Sequence, residues 1–159
     1  GEELGMRGSR GSANTDANRR LAMLWGDEDI IKDPTGSTYP ASKQITTTVA
    51  DQIEDKNSLY NYYCKLIAIR NKYFAIARGE YTAVDGGHKN LGGFVIEYDG
   101  ASLLLLHNTS LEGLTVDISA FSGLDGYTFK VICDYVGVGK AKLSGTTLTI
   151  GAQTSVILG

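Results

Sequence analysis

The sequence has few of the residues that build disulfide frameworks, zinc sites and membrane spans. It contains two cysteines, Cys64 and Cys133, among 159 residues, which is too few for a disulfide scaffold or a zinc site. We expect both thiols to be buried or inert, because free cysteine behaves as a small hydrophobe. Its apolar runs, such as the four leucines at 103–106, stay far below the roughly 20 residues of a membrane-spanning helix.

The chain also lacks an excess of positive charge. Fifteen basic residues face 18 acidic ones, for a net charge of -3. A basic surface is the usual sign of a nucleic-acid or anionic-membrane partner, so we expect neither. With 42% hydrophobic and 21% charged residues, the composition is typical of a globular protein.

The composition changes near Gly79, which indicates a domain boundary. All six arginines lie in residues 1–80, whereas 14 of the 20 glycines lie from Gly79 onward. We therefore predict one domain over 1–80 and a second over 81–159.

The first half is predicted to be loops followed by helices. The segments GSRGSANTDANRR and DPTGSTYP are rich in turn residues and predict loops. A short helix beginning at Ser42 is expected between 41 and 53. The main helix is predicted over about 57–74, capped by Asn57 or Ser58, because apolar residues recur there at spacings of three and four.

The second half is predicted to be strands. Its apolar and β-branched runs are GGFVIEY, SLLLLHN, LTVDIS, YTFKVICDY, KLSG, TLTIGA and TSVILG. Turn residues separate these runs at intervals of roughly ten, which predicts an antiparallel Greek-key β-sandwich or small barrel. The fold class is therefore mainly β with helices.

No set of residues predicts a catalytic or metal site from composition and spacing alone. Glu2 and Glu3 are adjacent, and neighbours in a strand point to opposite faces, so we exclude them as a carboxylate pair flanking one glycosidic bond. The acidic group Asp27, Glu28, Asp29 and Asp33 lacks the spacing of a calcium loop and is interpreted as a solvated loop. His88 and His107 are interpreted as structural.

Aromatic side chains offer a weaker hint of sugar binding. Trp25, Tyr39, Tyr60, Tyr62 and Tyr63 could form a platform on which sugar rings stack. Packing in a core is the interpretation we favour for Trp25 and the helix tyrosines.

Three motifs in order resemble the C-terminal part of the α-amylase-type glycoside hydrolases, family 13. GEELGM is similar to the end of that family's eighth barrel strand, and DANRRLAMLW to the loop that follows. VADQIEDKNSLYNYYCKLIAIRNKYFAIARGEY is similar to the next helix and its exit. The family's proline before the Met-x-Trp element is replaced by Ala22, and over 80–159 the resemblance rests on strand pattern and position.

The resemblance implies that residues 1–80 are a loop-and-helix remnant of a catalytic TIM barrel and that 81–159 form the β-sandwich called domain C. It also implies that the three catalytic carboxylates lie upstream, so that this chain holds no catalytic residue. The whole enzyme, called the parent enzyme below, would hydrolyse α-glucosidic bonds in starch-like glucans with retention. The resemblance implies no cofactor in this chain and leaves calcium binding by the parent enzyme open.

The same resemblance assigns roles and partners. Asp16 and Arg20 would lie at the substrate rim, with an internal salt bridge as the equal alternative. Glu2, Glu3, Trp25, Tyr62 and Arg70 would belong to structural motifs. The expected partners are the upstream part of the barrel and an α-glucan, and an extracellular or cell-surface bacterial location is favoured over the cytoplasm. Domain C would support the barrel, and a starch- or maltooligosaccharide-binding module is the alternative.

Overall fold

The computed structural model describes residues 1–11, 16–26 and 31–159. They form two compact units, residues 1–64 and residues 65–159. The helix α2, Leu59–Lys72, begins in the first unit and ends in the second. A domain boundary near residue 80 stays a prediction. No helix of the described residues is both long enough and apolar enough to cross a bilayer.

The second unit contains an antiparallel β-sandwich, as the strand pattern predicts. One sheet has five strands in the order β1-β2-β3-β8-β5, and the other has three in the order β4-β7-β6. The strands are β1 Glu80–His88, β2 Leu91–Tyr98, β3 Ala101–Asn108, β4 Leu114–Asp117, β5 Ile132–Gly137, β6 Ala141–Ser144, β7 Thr147–Ile150 and β8 Thr154–Leu158. Strand β8, the last in the chain, lies between β3 and β5. Such a return of a later strand to lie beside an earlier one is of the Greek-key type.

The core of the sandwich consists of alternate residues from both sheets. Leu104, Leu106 and Val156 from the larger sheet and Leu148 and Ile150 from the smaller one are fully buried in one cluster. The intervening residues of β3, such as Leu105 and His107, lie on the outer face of the larger sheet, because successive side chains in a strand point to opposite faces.

Two helical segments cover that outer face within the second unit. These are the C-terminal half of α2, residues 65–72, and α3, Phe74–Arg78. The predicted helix at 57–74 is confirmed, with a break at Tyr73, whose backbone is extended. A Cβ atom on Gly79 would lie 2.6 Å from Ile96 and 2.7 Å from the Ala75 carbonyl, so only glycine permits this close approach of helix to sheet.

The first unit has short helices and little apolar core. Single 3-10 turns occupy Glu2–Leu4, Ala17–Arg19 and Ala41–Lys43, and the helix α1 covers Val49–Glu54. The prediction that Ser42 begins a helix was wrong: α1 begins after Thr48, whose side chain and that of Asp51 form a reciprocal capping box, which satisfies free N–H groups at the helix start. Ser58 caps α2, accepting from the Asn61 N–H at 3.1 Å.

Two further local expectations are corrected. GEELGM is not an extended strand end, because its N–H groups bond within the motif, from Leu4 to Gly1 at 3.2 Å and from Gly5 to Glu2 at 3.0 Å. The two cysteines are free, and Cys64 is exposed rather than buried while Cys133 is half-buried. No residue of α2, the helix that carries Cys64, is buried.

Candidate functional site

The predicted rim residues Asp16 and Arg20 form a surface ion pair. Asp16 precedes the 3-10 turn 17–19, and its two carboxylate oxygens lie 3.5 Å from Arg19 Nη1 and 3.4 Å from Arg20 Nε. The side chains of Asp16 and Arg20 are 51% and 76% exposed. Such a pair adds little stability, so both side chains remain available to a ligand. Their substrate role stays a prediction.

A cavity of about 350 Å³ lies next to this pair in the first unit. It is lined by Gly1, Glu2, Met6, Arg7, Gly8, Arg19, Leu21 and Met23. The two guanidinium groups donate hydrogen bonds, the Glu2 carboxylate accepts them, and the methionine and leucine side chains supply an apolar wall. This combination suits a ligand with hydroxyl groups and apolar faces, which is the chemistry of a sugar.

Asn18 fixes the loops around this cavity and was not singled out from the sequence. It is 2% exposed, its Nδ2 donates to the Arg10 carbonyl at 3.2 Å and to Thr38 Oγ1 at 3.0 Å, and its Oδ1 accepts from the Thr38 N–H at 2.7 Å. A Cβ atom on Gly8 would lie 2.3 Å from the Asn18 carbonyl oxygen. One buried amide therefore holds three loop segments together, with Arg19 as its neighbour in sequence.

Gln44 holds the segment that carries Arg7. Its Oε1 accepts from the Arg7 N–H at 2.8 Å, and its Nε2 donates to the Arg7 carbonyl at 2.8 Å. The side-chain amide thus pairs with the backbone as a neighbouring strand would. No periodic pattern in the sequence signals such a bond, since it joins residues that are 37 positions apart.

A third amide, Gln52, fixes the GEELGM segment. It is 5% exposed, and its Nε2 donates to the Leu4 carbonyl at 2.9 Å. Its Oε1 accepts from the Tyr60 N–H at 3.2 Å. Within the first unit, Gln52 therefore ties the cavity wall to α1 and to the start of α2.

The adjacent acids Glu2 and Glu3 differ in their surroundings. Glu2 is 83% exposed and lines the cavity. The pKa of Glu3 is held below its ordinary value chiefly by a hydrogen bond from its own backbone N–H. A carboxyl group with a lowered pKa is ionised at neutral pH and unsuited to donate a proton as a general acid.

The other predicted motif residues are not among those that line the cavity. Trp25 is 51% exposed, so its interpretation as core packing was wrong; the Trp25 and Leu24 carbonyls instead accept from the first N–H groups of α1. Tyr62 is half-buried on α2. Arg70 is exposed on the same helix within the second unit.

The acids do not assemble a metal site in the described part of the chain. Across residues 1–11, 16–26 and 31–159, no three His, Cys, Asp or Glu side chains could together hold an ion. Asp27, Glu28 and Asp29 of the acidic group lie outside the described residues. Asp33 accepts from the Ala22 N–H at 2.9 Å, which is a structural use of its carboxylate.

The sandwich carries two aromatic pairs that bear on sugar binding. Tyr81 and Phe94 are exposed, but their rings meet edge to face at 74° with centroids 5.6 Å apart. Tyr127 and Phe129 are nearly parallel, at 12° and 6.1 Å, but Phe129 is 6% exposed and belongs to the core. Neither pair is the exposed, coplanar platform that the binding-module alternative requires.

Comparison with known proteins gives the family. No protein-family model matches the chain. Its sequence is 35% identical over 115 residues to alpha-amylase SusG of Bacteroides thetaiotaomicron, covering 68% of this chain and 16% of that protein. Alpha-amylase 3 of Dictyoglomus thermophilum is 29% identical over 110 residues, covering 68% of this chain and 21% of that protein.

A solved structure extends this likeness to nearly the whole chain. Eubacterium rectale Amy13B matches with a TM-score of 0.82 and 29% identity, over 99% of this chain and 30% of that one. The chain spans about a fifth or less of the length of the two curated relatives. The resemblance drawn from the three motifs and the mainly β fold class are therefore confirmed: the chain belongs to the α-amylase-type glycoside hydrolases, family 13.

Proposed function

We propose that this chain is the C-terminal part of an enzyme that hydrolyses α-glucosidic bonds in starch-like glucans, and that it contributes binding and support but no catalytic carboxylate. The observation that carries the proposal is the likeness to Amy13B over 99% of this chain but 30% of that protein. Two relatives bear the name α-amylase. Acid–base and nucleophilic chemistry would then be supplied by residues outside this chain.

The proposed role of the first unit is to build part of the substrate rim. The cavity beside Glu2 joins two guanidinium groups and one carboxylate to an apolar wall. Asp16 and Arg20 lie exposed nearby. Hydroxyl groups of a glucan would hydrogen-bond to these charged groups, and the apolar faces of its rings would pack on Met6 and Met23.

The proposed role of the second unit is to support the barrel. The helices of this unit present Leu66 and Ile69 towards the sandwich, while Ile67 and Phe74 are 55% and 62% exposed. Large exposed apolar side chains on a helix favour a further contact surface, and we assign that surface to the remainder of the barrel. Calcium binding, if the parent enzyme has it, would then use residues upstream, and a polymeric substrate favours an extracellular or cell-surface location.

Two measurements on the chain test this proposal. Assay of reducing ends released from soluble starch should show no turnover, and turnover that disappears on Glu2→Gln or Glu3→Gln would contradict the assignment of catalysis to upstream residues.

Calorimetry with maltoheptaose distinguishes binding at the rim of the first unit from the binding-module alternative. Weak heat abolished by Arg7→Gln would support the rim, whereas saturable heat abolished by Tyr81→Ala would establish a binding module on the sandwich.

A test in the parent enzyme addresses support. Ile67→Asp places a charge on the exposed apolar face of α2, away from the sandwich. It should leave this chain unaffected and lower the melting temperature of the parent enzyme. An unchanged melting temperature in the parent would show that this face does not contact the barrel.

A further inference from the structure

The second unit contains a small apolar cavity between its helices and the outer face of the larger sheet. Its volume is about 100 Å³. From the helices it is lined by Leu66, Ile69, Arg70 and Ile76. From the sheet it is lined by Leu105, His107, Tyr135, Val136, Ser155 and Ile157. The helical segment 65–78 therefore rests on a surface that is apolar except at a few identified groups.

One of these groups is a histidine paired with a serine. His107 on β3 and Ser155 on β8 are directly opposite each other in register, and His107 Nδ1 lies 2.7 Å from Ser155 Oγ. From the sequence, His107 is interpreted as an isolated structural histidine; the structure gives it this partner. A neutral imidazole carries no charge and can share one hydrogen bond at Nδ1 with this hydroxyl group, whereas an imidazolium adds a second N–H donor and a positive charge that need polar contacts or a negative charge.

No neighbouring element supplies that negative charge. The cavity is lined from α2 by the Arg70 guanidinium, a cation, and from β5 by the Tyr135 phenol. On β2, the residue opposite His107 is Gly92, which has no side chain. Among the residues that the structure describes, no carboxylate lines this cavity.

The carboxylate of β5, Asp134, is already engaged elsewhere. Its Oδ2 lies 2.9 Å from Lys72 Nζ and 3.5 Å from the Tyr73 hydroxyl. Burial lowers the pKa of His107 below its ordinary value. Geometry and burial thus agree that protonation of this imidazole is disfavoured while the helices cover it.

We propose that His107 is an acid-sensitive latch: its neutral form lets the segment 65–78 stay on the outer face of the five-stranded sheet, and its protonation releases that segment. Because the folded-state pKa is lowered, the stabilisation is fully present above about pH 6.5, the ordinary pKa of histidine, and is lost as the pH falls through and below it. This inference stands without the proposed function. If that function holds, acid weakens the same helix through which the sandwich would support the barrel.

The chain offers a matched control, because His88 is its only other histidine. His88 is exposed on β1, so His88→Gln removes one imidazole without touching the cavity. In His107→Gln, the amide can still bond to Ser155 but cannot titrate. Melting temperatures of the whole chain and both variants are compared between about pH 7.5 and pH 5.0, a range in which histidine titrates and ordinary carboxyl groups do not.

Wild type and His88→Gln should lose several degrees of melting temperature towards pH 5.0, and His107→Gln should lose less than half as much. The slope is compared rather than the absolute value, so a less stable variant remains informative. Hydrogen exchange of the amides 66–78, corrected for intrinsic rates, should rise at pH 5.0 by up to about thirtyfold, the limit set by an ordinary histidine pKa near 6.5. Amides of the core strand β7 should not change.

Three results would overturn the latch. They are an imidazole of His107 that titrates by NMR at or above the ordinary histidine value, a pH slope of His107→Gln equal to that of wild type, and exchange that rises equally in β7 and in 66–78. The NMR titration and the exchange experiment use the wild-type chain, with His88→Gln serving only to assign the two imidazole signals. They therefore decide the question even if His107→Gln fails to fold.

Discussion

Each of the two units of this chain is stabilised internally by a different kind of contact. In the second unit, a cluster of fully buried aliphatic side chains joins two sheets. In the described part of the first, buried hydrophobic residues are few, and Asn18, Gln44 and Gln52 instead bind the backbone of distant loops. Apolar burial is tolerant of small shifts, whereas an amide that makes two or three hydrogen bonds at once works in one geometry. The sandwich is therefore stabilised mainly by apolar burial, whereas the hydrogen bonds of the first unit hold exposed loops in place.

The largest effect is expected in the core of the sandwich. Leu106 is fully buried between the sheets, and Leu106→Ala should lower the free energy of unfolding by about 2–5 kcal/mol, because it removes buried area and leaves a cavity. Chemical denaturation of the chain measures the change. Leu111→Ala, at a site 81% exposed, is the control and should stay within about 0.5 kcal/mol of wild type. Equal losses at the two sites would mean that the cluster around Leu106 does not carry the stability.

A smaller effect is expected where the helix meets the sandwich. Leu66 is half-buried and faces the sheet, so Leu66→Asp places an unpaired charge in an apolar contact and should destabilise the second unit by about 1–3 kcal/mol. Ile67→Asp, one residue on and 55% exposed, is the matched control. Thermal unfolding compares them, and an unchanged melting temperature in Leu66→Asp would show that the helix does not depend on this contact.

How much the sequence could predict also differs between the units. In the sandwich, apolar and β-branched runs between turn residues predicted β2, β3, β4, β6, β7 and β8, because these strands pack on one contiguous core. Strand β1 was missed, since it is an edge strand with mostly exposed residues and two glycines. The predicted strand at 127–135 begins too early, because Phe129 reaches the core from a loop. An apolar residue in a loop looks the same in sequence as one in a strand.

In the first unit, the sequence predicted loops but not what holds them. Ser58 was one of two predicted caps, with Asn57, because capping acts over three residues and that spacing is visible in the sequence. Asn18 and Gln44 act over 20 and 37 residues, and no local pattern reports such bonds. The rim residues Asp16 and Arg20 were named only through the family resemblance, so their neighbours in the cavity, Arg7 and Arg19, were not foreseen.

The role of Asn18 can be tested through its amide. Asn18→Ala would leave the Thr38 N–H and the Arg10 carbonyl without their partner, at a cost of about 1–3 kcal/mol to the first unit. Limited proteolysis should then cut within residues 1–44 faster than in wild type while sparing 81–159. Asn71→Ala, at an exposed position on α2, should leave the digestion pattern unchanged. If Asn18→Ala resists proteolysis as well as wild type does, the loops are held by something other than this clamp.

The smallest effect on stability is expected at the candidate rim. Asp16→Asn removes the charge that pairs with Arg19 and Arg20, and because all three side chains are more than half exposed, the free energy of unfolding should change by about 0–1 kcal/mol, and less in high salt. Asp16 is therefore a site at which ligand binding can be tested separately from stability. A variant that folds and melts like wild type, yet binds maltoheptaose more weakly by calorimetry, would assign Asp16 to the ligand rather than to the fold. A melting temperature that falls as far as in Asn18→Ala would instead place the ion pair among the contacts that hold the loops.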